Sequence, residues 1–405
     1  MGIDKIDKNL GKVSFDDSDC VWFDAKEDVF SLSGICFDEN KNRYCRILDF
    51  DAEKVSENVR YLATNTAGGR IRFVTDSPFV CIKVVEPNFG VLPHMSIVGQ
   101  FGFSILKNNQ FLGIYFPTLV ELLSNSKDCL VPSWSISTSG KTDFAYSGKV
   151  NTYSDSLNDY SLLFPLYDNV VSLKIGIKKG SKILKSKPRV NEDKPIVFYG
   201  SSVTHGCAAS RPGMDYSNII STKLNVNITN LGFSGNCKGE QTMATYIASL
   251  PLSMLVMGYD YNANTVDDLK NTHLSFYKKF RENKVDVPII FLTAPTGRNI
   301  DKDRAKDYEL RREVINQTYQ YALEHGDKNV YFLSGEELIK EDENYSMTVD
   351  GVHPTDAGFI NMANTLILLI KQILKLWVLK IIEYKINLNK LIIIKHIKER
   401  FKENI

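Results

Sequence analysis

Two short segments far apart in the chain carry the residue types of an acyl-transfer site. The first is Gly200-Ser201-Ser202-Val203-Thr204-His205-Gly206, which directly follows the apolar run Pro195-Ile196-Val197-Phe198-Tyr199. Small residues there allow a sharp turn that lifts a hydroxyl above a sheet edge and leaves neighbouring backbone N–H groups open to a ligand. The second is Asp350-Gly351-Val352-His353-Pro354. A serine is a weak nucleophile until a base takes its proton, and an imidazole does this best when a carboxylate holds its tautomer and steadies its cation. Asp and His three residues apart in one turn supply that pair, or act as two separate arms of a site. Each segment alone has an ordinary explanation: a strand-to-helix turn for the first, a polar helix entry at Pro354 and Thr355 for the second. A phosphate loop is a poor fit, because His205 stands where the second glycine of GxxxxGK[ST] belongs and Gly206 is followed by Cys207 and Ala208.

The elements that must position these segments fall into two rhythms. From residue 15 to about 185 the chain reads as strand after strand: Arg70 to Val74, Phe79 to Val85, Gln100 to Ile105, Phe111 to Phe116, Asp143 to Tyr146, Asp159 to Phe164 and Val170 to Ile177, most bounded by Asn, Asp, Gly or Pro. Short strands at this spacing predict an antiparallel sandwich of jelly-roll type. A basic, polar stretch from Lys178 to Lys194 then precedes a second rhythm. Apolar runs at Pro195 to Tyr199, Asn225 to Leu231, Met254 to Tyr259, Pro288 to Thr293 and Val330 to Leu333 alternate with helical stretches at Tyr216 to Lys223, Gln241 to Leu250, Val266 to Asn283, Asp303 to His325 and Asp356 to Leu374. That alternation predicts a doubly wound α/β domain over 190–374, whose ligands bind beyond the carboxyl ends of the strands. Both candidate segments fall at such ends.

Composition excludes several classes. The 405 residues are 43% hydrophobic and 24% charged, an ordinary globular balance with room for two domains. Net charge is +1, but residues 371–405 hold nine basic and three acidic residues, a local +6 that leaves the rest at −5. An acidic body with a basic tail gives no field for nucleic acid. The charged N-terminus lacks the apolar stretch of a secretory signal, so a cytoplasmic location is expected. Seven scattered cysteines without a CxxC pair argue against a disulfide framework and a structural zinc site, and predict reduced thiols. His94, His273, His325 and His396 lack ligand spacing and no HExxH occurs, so neither metal nor other cofactor is expected.

Four blocks in order resemble the SGNH (GDSL-type) serine esterases and acylhydrolases: Gly200-Ser201-Ser202, Asn230-Leu231-Gly232-Phe233-Ser234-Gly235-Asn236, Tyr259-Asp260-Tyr261-Asn262-Ala263 and Asp350-Gly351-Val352-His353. The resemblance spans about residues 190–374, with a flavodoxin-like doubly wound sheet implied. The strand-rich front is similar to the jelly-roll domain of a two-domain branch that includes carbohydrate acetylesterases. The resemblance implies Ser202 as nucleophile, His353 as base and then acid, and Asp350 as its partner. It also implies an oxyanion hole made of the Ser202 and Gly235 backbone N–H groups and the Asn262 amide. One such donor is worth roughly 2.7–4 kcal/mol in the transition state. Asn262 as a plain turn former is the competing reading. Ser201 replaces the family's usual Asp, as in the two-domain branch, while Tyr261 and Gly258 depart from the pattern in ways that bear on the substrate pocket.

Other residues are weaker candidates. His205 reads as a pocket-rim or solvated loop residue, and Arg211 as a substrate contact or a surface ion pair. Trp134 reads as core or interface packing ahead of a sugar platform. The tail from residue 375 to 405 spaces Lys375, Lys380, Lys385, Lys390 and Lys395 five apart, about 140° steps on a helix, so no single face is apolar. It reads as an extension outside the catalytic domain. The expected activity is therefore removal of a short acyl group, most simply O-acetyl, from a small-molecule or oligosaccharide ester, with neither nucleic acid nor membrane as partner. The alternatives are a lipid-directed acylhydrolase with a membrane-contacting tail and a carbohydrate-binding protein without activity.

Overall fold

The computed structural model describes residues 17–87, 92–117, 143–295, 302–339 and 347–374. The chain divides into two compact units, 1–363 and 364–405, and every strand described below lies in the first. Trp134 and the tail beyond residue 374 lie outside the described residues.

The front of the chain forms two antiparallel sheets. Its strands are β1 (Cys20–Asp24), β2 (Ser31–Ser33), β3 (Cys36–Asp38), β4 (Arg43–Cys45), β5 (Arg70–Thr75), β6 (Phe79–Pro87), β7 (Phe103–Lys107), β8 (Gln110–Tyr115), β9 (Asp143–Asn151), β10 (Asn158–Leu163), β11 (Ser172–Lys178) and β12 (Ile183–Leu184). One sheet has the order β1-β11-β6-β9, the other β12-β5-β10-β7-β8 with β2 also on β5, and β3-β4 is a separate hairpin. Alternating residues from both sheets, Ile71 and Phe73 of β5, Val80, Ile82 and Val84 of β6, and Leu173 and Ile175 of β11, meet in one apolar core.

Alternation alone would leave the other face of β5 to water, yet Arg70 and Arg72 are buried there. Arg70 Nη2 donates to Asn218 Oδ1 (3.3 Å) and Thr222 Oγ1 (3.1 Å), and Arg72 Nη2 to the Lys187 carbonyl (2.5 Å). Arg70 thus meets the second half of the chain and Arg72 the stretch leading into it, so the charged face is covered.

The run Gln100 to Ile105 is not one strand. Ser96 accepts the Gly99 N–H (2.8 Å) and starts a helix, Ile97–Phe101, that ends at Gly102 before β7. The hairpin β3-β4 and the helices Asp49–Glu53 and Glu57–Leu62 add to the expected strands.

The second half follows the alternating pattern. Strands β13 (Ile196–Gly200), β14 (Ile228–Gly232), β15 (Met254–Gly258), β16 (Ile289–Leu292) and β17 (Val330–Leu333) pair in parallel in the order β14-β13-β15-β16-β17. That is the flavodoxin-like order, and its switch point lies beside β13. Helices Tyr216–Leu224, Gln241–Ser249, Val266–Arg281, Lys302–Glu324 and Asp356–Leu374 follow the strands as expected.

Three glycines lie in one row across the carboxyl edge: Gly232, Gly200 and Gly258 are direct register partners. A Cβ on Gly232 would come within 2.2 Å of the His205 nitrogen, and one on Gly200 within 2.5 Å of the Gly258 carbonyl. The row lets the chain after β13 settle directly onto the sheet edge.

Candidate active site

Ser202 opens the one-turn helix Ser202–His205 at the end of β13. Ser201 caps it by accepting the Val203 N–H (3.3 Å), and Gly206 ends it at φ 102°, where a side chain would be strained. The Asp350–His353 turn closes over this point. Val349 N–H donates to the His353 carbonyl (2.8 Å), Thr355 N–H to that of Met347 (2.8 Å), and Gly351 takes φ 83°.

Ser202 Oγ lies 2.9 Å from His353 Nε2, and His353 Nδ1 lies 2.7 Å from Asp350 Oδ2. An ionised carboxylate only accepts, so the ring proton sits on Nδ1 and Nε2 is left to take the serine proton. The other oxygen, Asp350 Oδ1, accepts from the backbone of Val352 (3.0 Å) and His353 (2.8 Å). Partial burial alone would raise this carboxyl. The His353 backbone N–H, the His353 ring and the Val352 N–H outweigh it and hold the pKa down at about 2. The carboxylate thus stays charged beside the ring.

Three donors follow three adjacent strands. The Ser202 N–H comes after β13, Gly235 after β14 and Asn262 after β15. Gly235, at φ 68°, is exposed with open space around its Cα, and its N–H has no acceptor among the described residues. Asn262 lies in the 3-10 turn Asp260–Asn262, and its Oδ1 accepts the Cys237 N–H (3.2 Å). A backbone N–H can only donate, so the amide orientation is set and Nδ2 is left without a partner among the described residues. Asp260, buried beneath, accepts from Ala294 N–H (2.7 Å) and Tyr261 N–H (3.1 Å). Burial raises its carboxyl to about 6, against the pull of the Ala294 N–H and Arg311.

His205 corrects the sequence reading. It is neither at a rim nor solvated but fully buried, stacked on Tyr167 with ring centroids 3.9 Å apart. The single turn after Ser202 folds back onto the sheet edge, which carries residue 205 beneath the site. Arg211, read as a substrate contact or a surface ion pair, has its guanidinium over the Phe111 ring (3.9 Å), and its Nη1 donates to the Pro212 carbonyl (3.4 Å). No ion pair of Arg211 occurs among the described residues.

Around the triad stand front-region residues that the sequence reading did not single out as site residues. Arg46, just after β4, is fully buried and donates from Nη1 to the carbonyls of Asn230 (3.2 Å) and Gly232 (2.5 Å), from Nε to Asn65 (2.8 Å) and from Nη2 to Leu62 (2.6 Å). Its Nη2 also faces His205 Nε2 (3.4 Å), which must accept, so the His205 proton is on Nδ1. Burial, with the Arg46 charge, pushes His205 far below the ordinary histidine range and keeps it neutral. Burial pushes Arg46 itself down to about 9. Tyr167 Oη bonds Ser234 Oγ (2.5 Å) in the glycine block and donates to the Ser202 carbonyl (3.4 Å). His94 stacks on His353 (centroids 5.5 Å, 29°) with Nε2 3.0 Å from Cys207 Sγ. Burial and the neighbouring His353 lower its pKa.

Residues 193–371 match the model of the GDSL-like lipase/acylhydrolase family, and residues 20–183 that of the N-terminus of SGNH-hydrolase-type esterases. Among solved structures, a GDSL-like lipase from Bacteroides ovatus is 26% identical with a TM-score of 0.74, covering 88% of this chain and 98% of its own. A salicylyl-acyltransferase from a tetracycline biosynthetic pathway is 16% identical (TM-score 0.65), covering 86% of this chain and 96% of its own. A family two carbohydrate esterase from Clostridium thermocellum, in complex with cellohexaose, is 14% identical (TM-score 0.55), covering 85% and 99%. The last two share the fold. No curated protein matches the chain.

Proposed function

The chain belongs to the SGNH (GDSL-like) superfamily in its two-domain form and is a carboxylic ester hydrolase; on that premise we propose that it removes short acyl groups, O-acetyl foremost, from a carbohydrate through an acyl-enzyme on Ser202. The observation that carries this reading is the continuous chain Ser202 Oγ, His353, Asp350 at 2.9 and 2.7 Å.

In the first step Ser202 Oγ attacks the ester carbonyl while His353 Nε2 takes its proton, and Asp350 steadies the imidazolium. The oxyanion is received by the N–H groups of Ser202 and Gly235 and by Asn262 Nδ2. His353 then protonates the leaving sugar hydroxyl. In the second step His353 activates water, which attacks the acyl carbonyl and frees Ser202 and the acid.

His94 covers one face of His353 and narrows the space beside Ser202, which favours a small acyl group. The carbohydrate rests on the carbohydrate-esterase fold relatives, one of them with cellohexaose bound. We place the enzyme in the cytoplasm, where cysteines are reduced at rest and disulfides form only transiently.

The test is acetate release from a panel of acetylated oligosaccharides by the wild type and Ser202→Ala. Release by the wild type alone supports the proposal, and equal release by both overturns it. Parallel rates on p-nitrophenyl acetate and octanoate decide the acyl length. A strong preference for octanoate would favour the lipid-directed alternative, and inactivity on every ester a binding role.

A further inference from the structure

The hairpin β3-β4 carries a pair of thiols that ester hydrolysis does not use. Cys36 and Cys45 stand directly opposite in the antiparallel register, with Sγ atoms 3.6 Å apart. Opposed Cα atoms in such a pair are about 4.5–5.5 Å apart, within the roughly 4.4–6.8 Å that a disulfide spans. Side-chain rotation alone can therefore close the bond.

A second pair supplies the contrast. Cys20 and Cys81 have sulfurs 3.8 Å apart, almost as close. They sit on β1 and β6, however, with β11 between them: Cys20 is opposite Lys178 and Cys81 opposite Gly176. Two strand spacings put their Cα atoms about 9 Å apart or more, beyond the roughly 7 Å limit for bridging without backbone movement. Both are also buried, whereas Cys36 is partly exposed.

We propose that Cys36 and Cys45 form a reversible thiol–disulfide couple, with Cys36 as the attacking sulfur and Cys45 as the resolving one. The contact with Cys45 favours the Cys36 thiolate, and the same contact raises the buried Cys45 thiol. The oxidant is a small-molecule disulfide. Cys36 thiolate attacks one of its sulfurs and releases a thiolate, forming a mixed disulfide. Cys45 then gives its proton to solvent and attacks Cys36 Sγ, expelling the second thiolate. Two protein thiols are oxidised and one small disulfide is reduced to two thiols. The bond would tie β3 to the strand that runs straight into Arg46.

The full-length protein is equilibrated in glutathione buffers of graded poise, acid-quenched, alkylated and mapped by mass spectrometry, with its melting temperature read in parallel. A Cys36–Cys45 peptide that appears with oxidised glutathione and disappears with reduced glutathione is expected. Cys20 and Cys81 stay alkylatable after unfolding, and the melting temperature rises by roughly 2–5 °C in the wild type but not in Cys36→Ser. In the native reduced protein, iodoacetamide should label Cys36 first, a readout that needs no variant. The proposal is overturned if Cys36 and Cys45 stay reduced in the most oxidising buffer, if Cys20 and Cys81 cross-link as readily, or if either hairpin thiol pairs with Cys129 instead.

Discussion

The parallel sheet and the antiparallel front treat polar residues in opposite ways. At the carboxyl edge of the parallel sheet, polar groups are set by local turns and left open: Asp350 and His353 share one turn, Gly235 N–H and Asn262 Nδ2 have no partner among the described residues, and Asp350 is part exposed. In the front region Arg46 is buried and satisfied across 16 to 186 residues of sequence by Asn230, Gly232, Asn65 and Leu62. The first arrangement presents groups to a substrate, and the second holds the presenting loops in place. At these residues Asn262 keeps an unused donor among the described residues, and Arg46 is used on every side.

Substitutions sharpen or break that contrast. Ser202→Ala should cut kcat on a soluble ester by about 10⁴-fold or more while leaving the urea midpoint unchanged. A large stability loss there would mean that the open edge is also structural. Arg46→Met should show the reverse, with roughly 3–5 kcal/mol less stability in urea, because several carbonyls lose their donor in a buried site. A variant as stable as the wild type would break the comparison. Asn262→Ala stands between the two, with about 10²–10³ lost from kcat at nearly constant KM.

Asp260 gives a pH signature. Its folded pKa of about 6 lies above the usual carboxylate value, so the folded protein holds a proton that the unfolded chain has released. That stability is whole below about pH 4 and is lost as pH rises through 6. Relative to Asp260→Asn, the wild type should lose on the order of 2–3 kcal/mol between pH 4 and 7 in urea titrations. A constant difference across that range would refute the assignment. Deleting residues 376–405 should have the smallest effect, with turnover of a soluble ester within about twofold; a collapse with the fold intact would make the tail part of the enzyme.

The same contrast explains what could be read in advance. The strand and helix runs of the second half were legible because strands covered on both faces are continuous apolar stretches, such as Ile196–Gly200 and Met254–Gly258. Ser202, Asp350 and His353 were legible because each lies in a short motif at a strand end or helix entry. Arg46, Tyr167 and His94 were not, because their neighbours are set by the docking of one sheet system on another. Arg46 and Gly232 are 186 residues apart, and no local spacing encodes their contact. His205 differs from its reading for a related reason: proximity to Ser202 in sequence suggests proximity to solvent, whereas its backbone packs directly on Gly232 and the residue is buried. The Cys36–Cys45 pair depends on hairpin register, which a search for CxxC cannot detect.

The row of three glycines across the sheet edge works as a graded foundation for redesign. At Gly232 any side chain meets backbone, and at Gly200 it meets Thr204 and the next strand, so both set the height of Ser202. At Gly258 a new Cβ first meets only the Leu292 side chain, at 3.1 Å. Of the three positions Gly258 is therefore the one where an added methyl asks for the smallest shift, a few tenths of an ångström against the Leu292 Cβ.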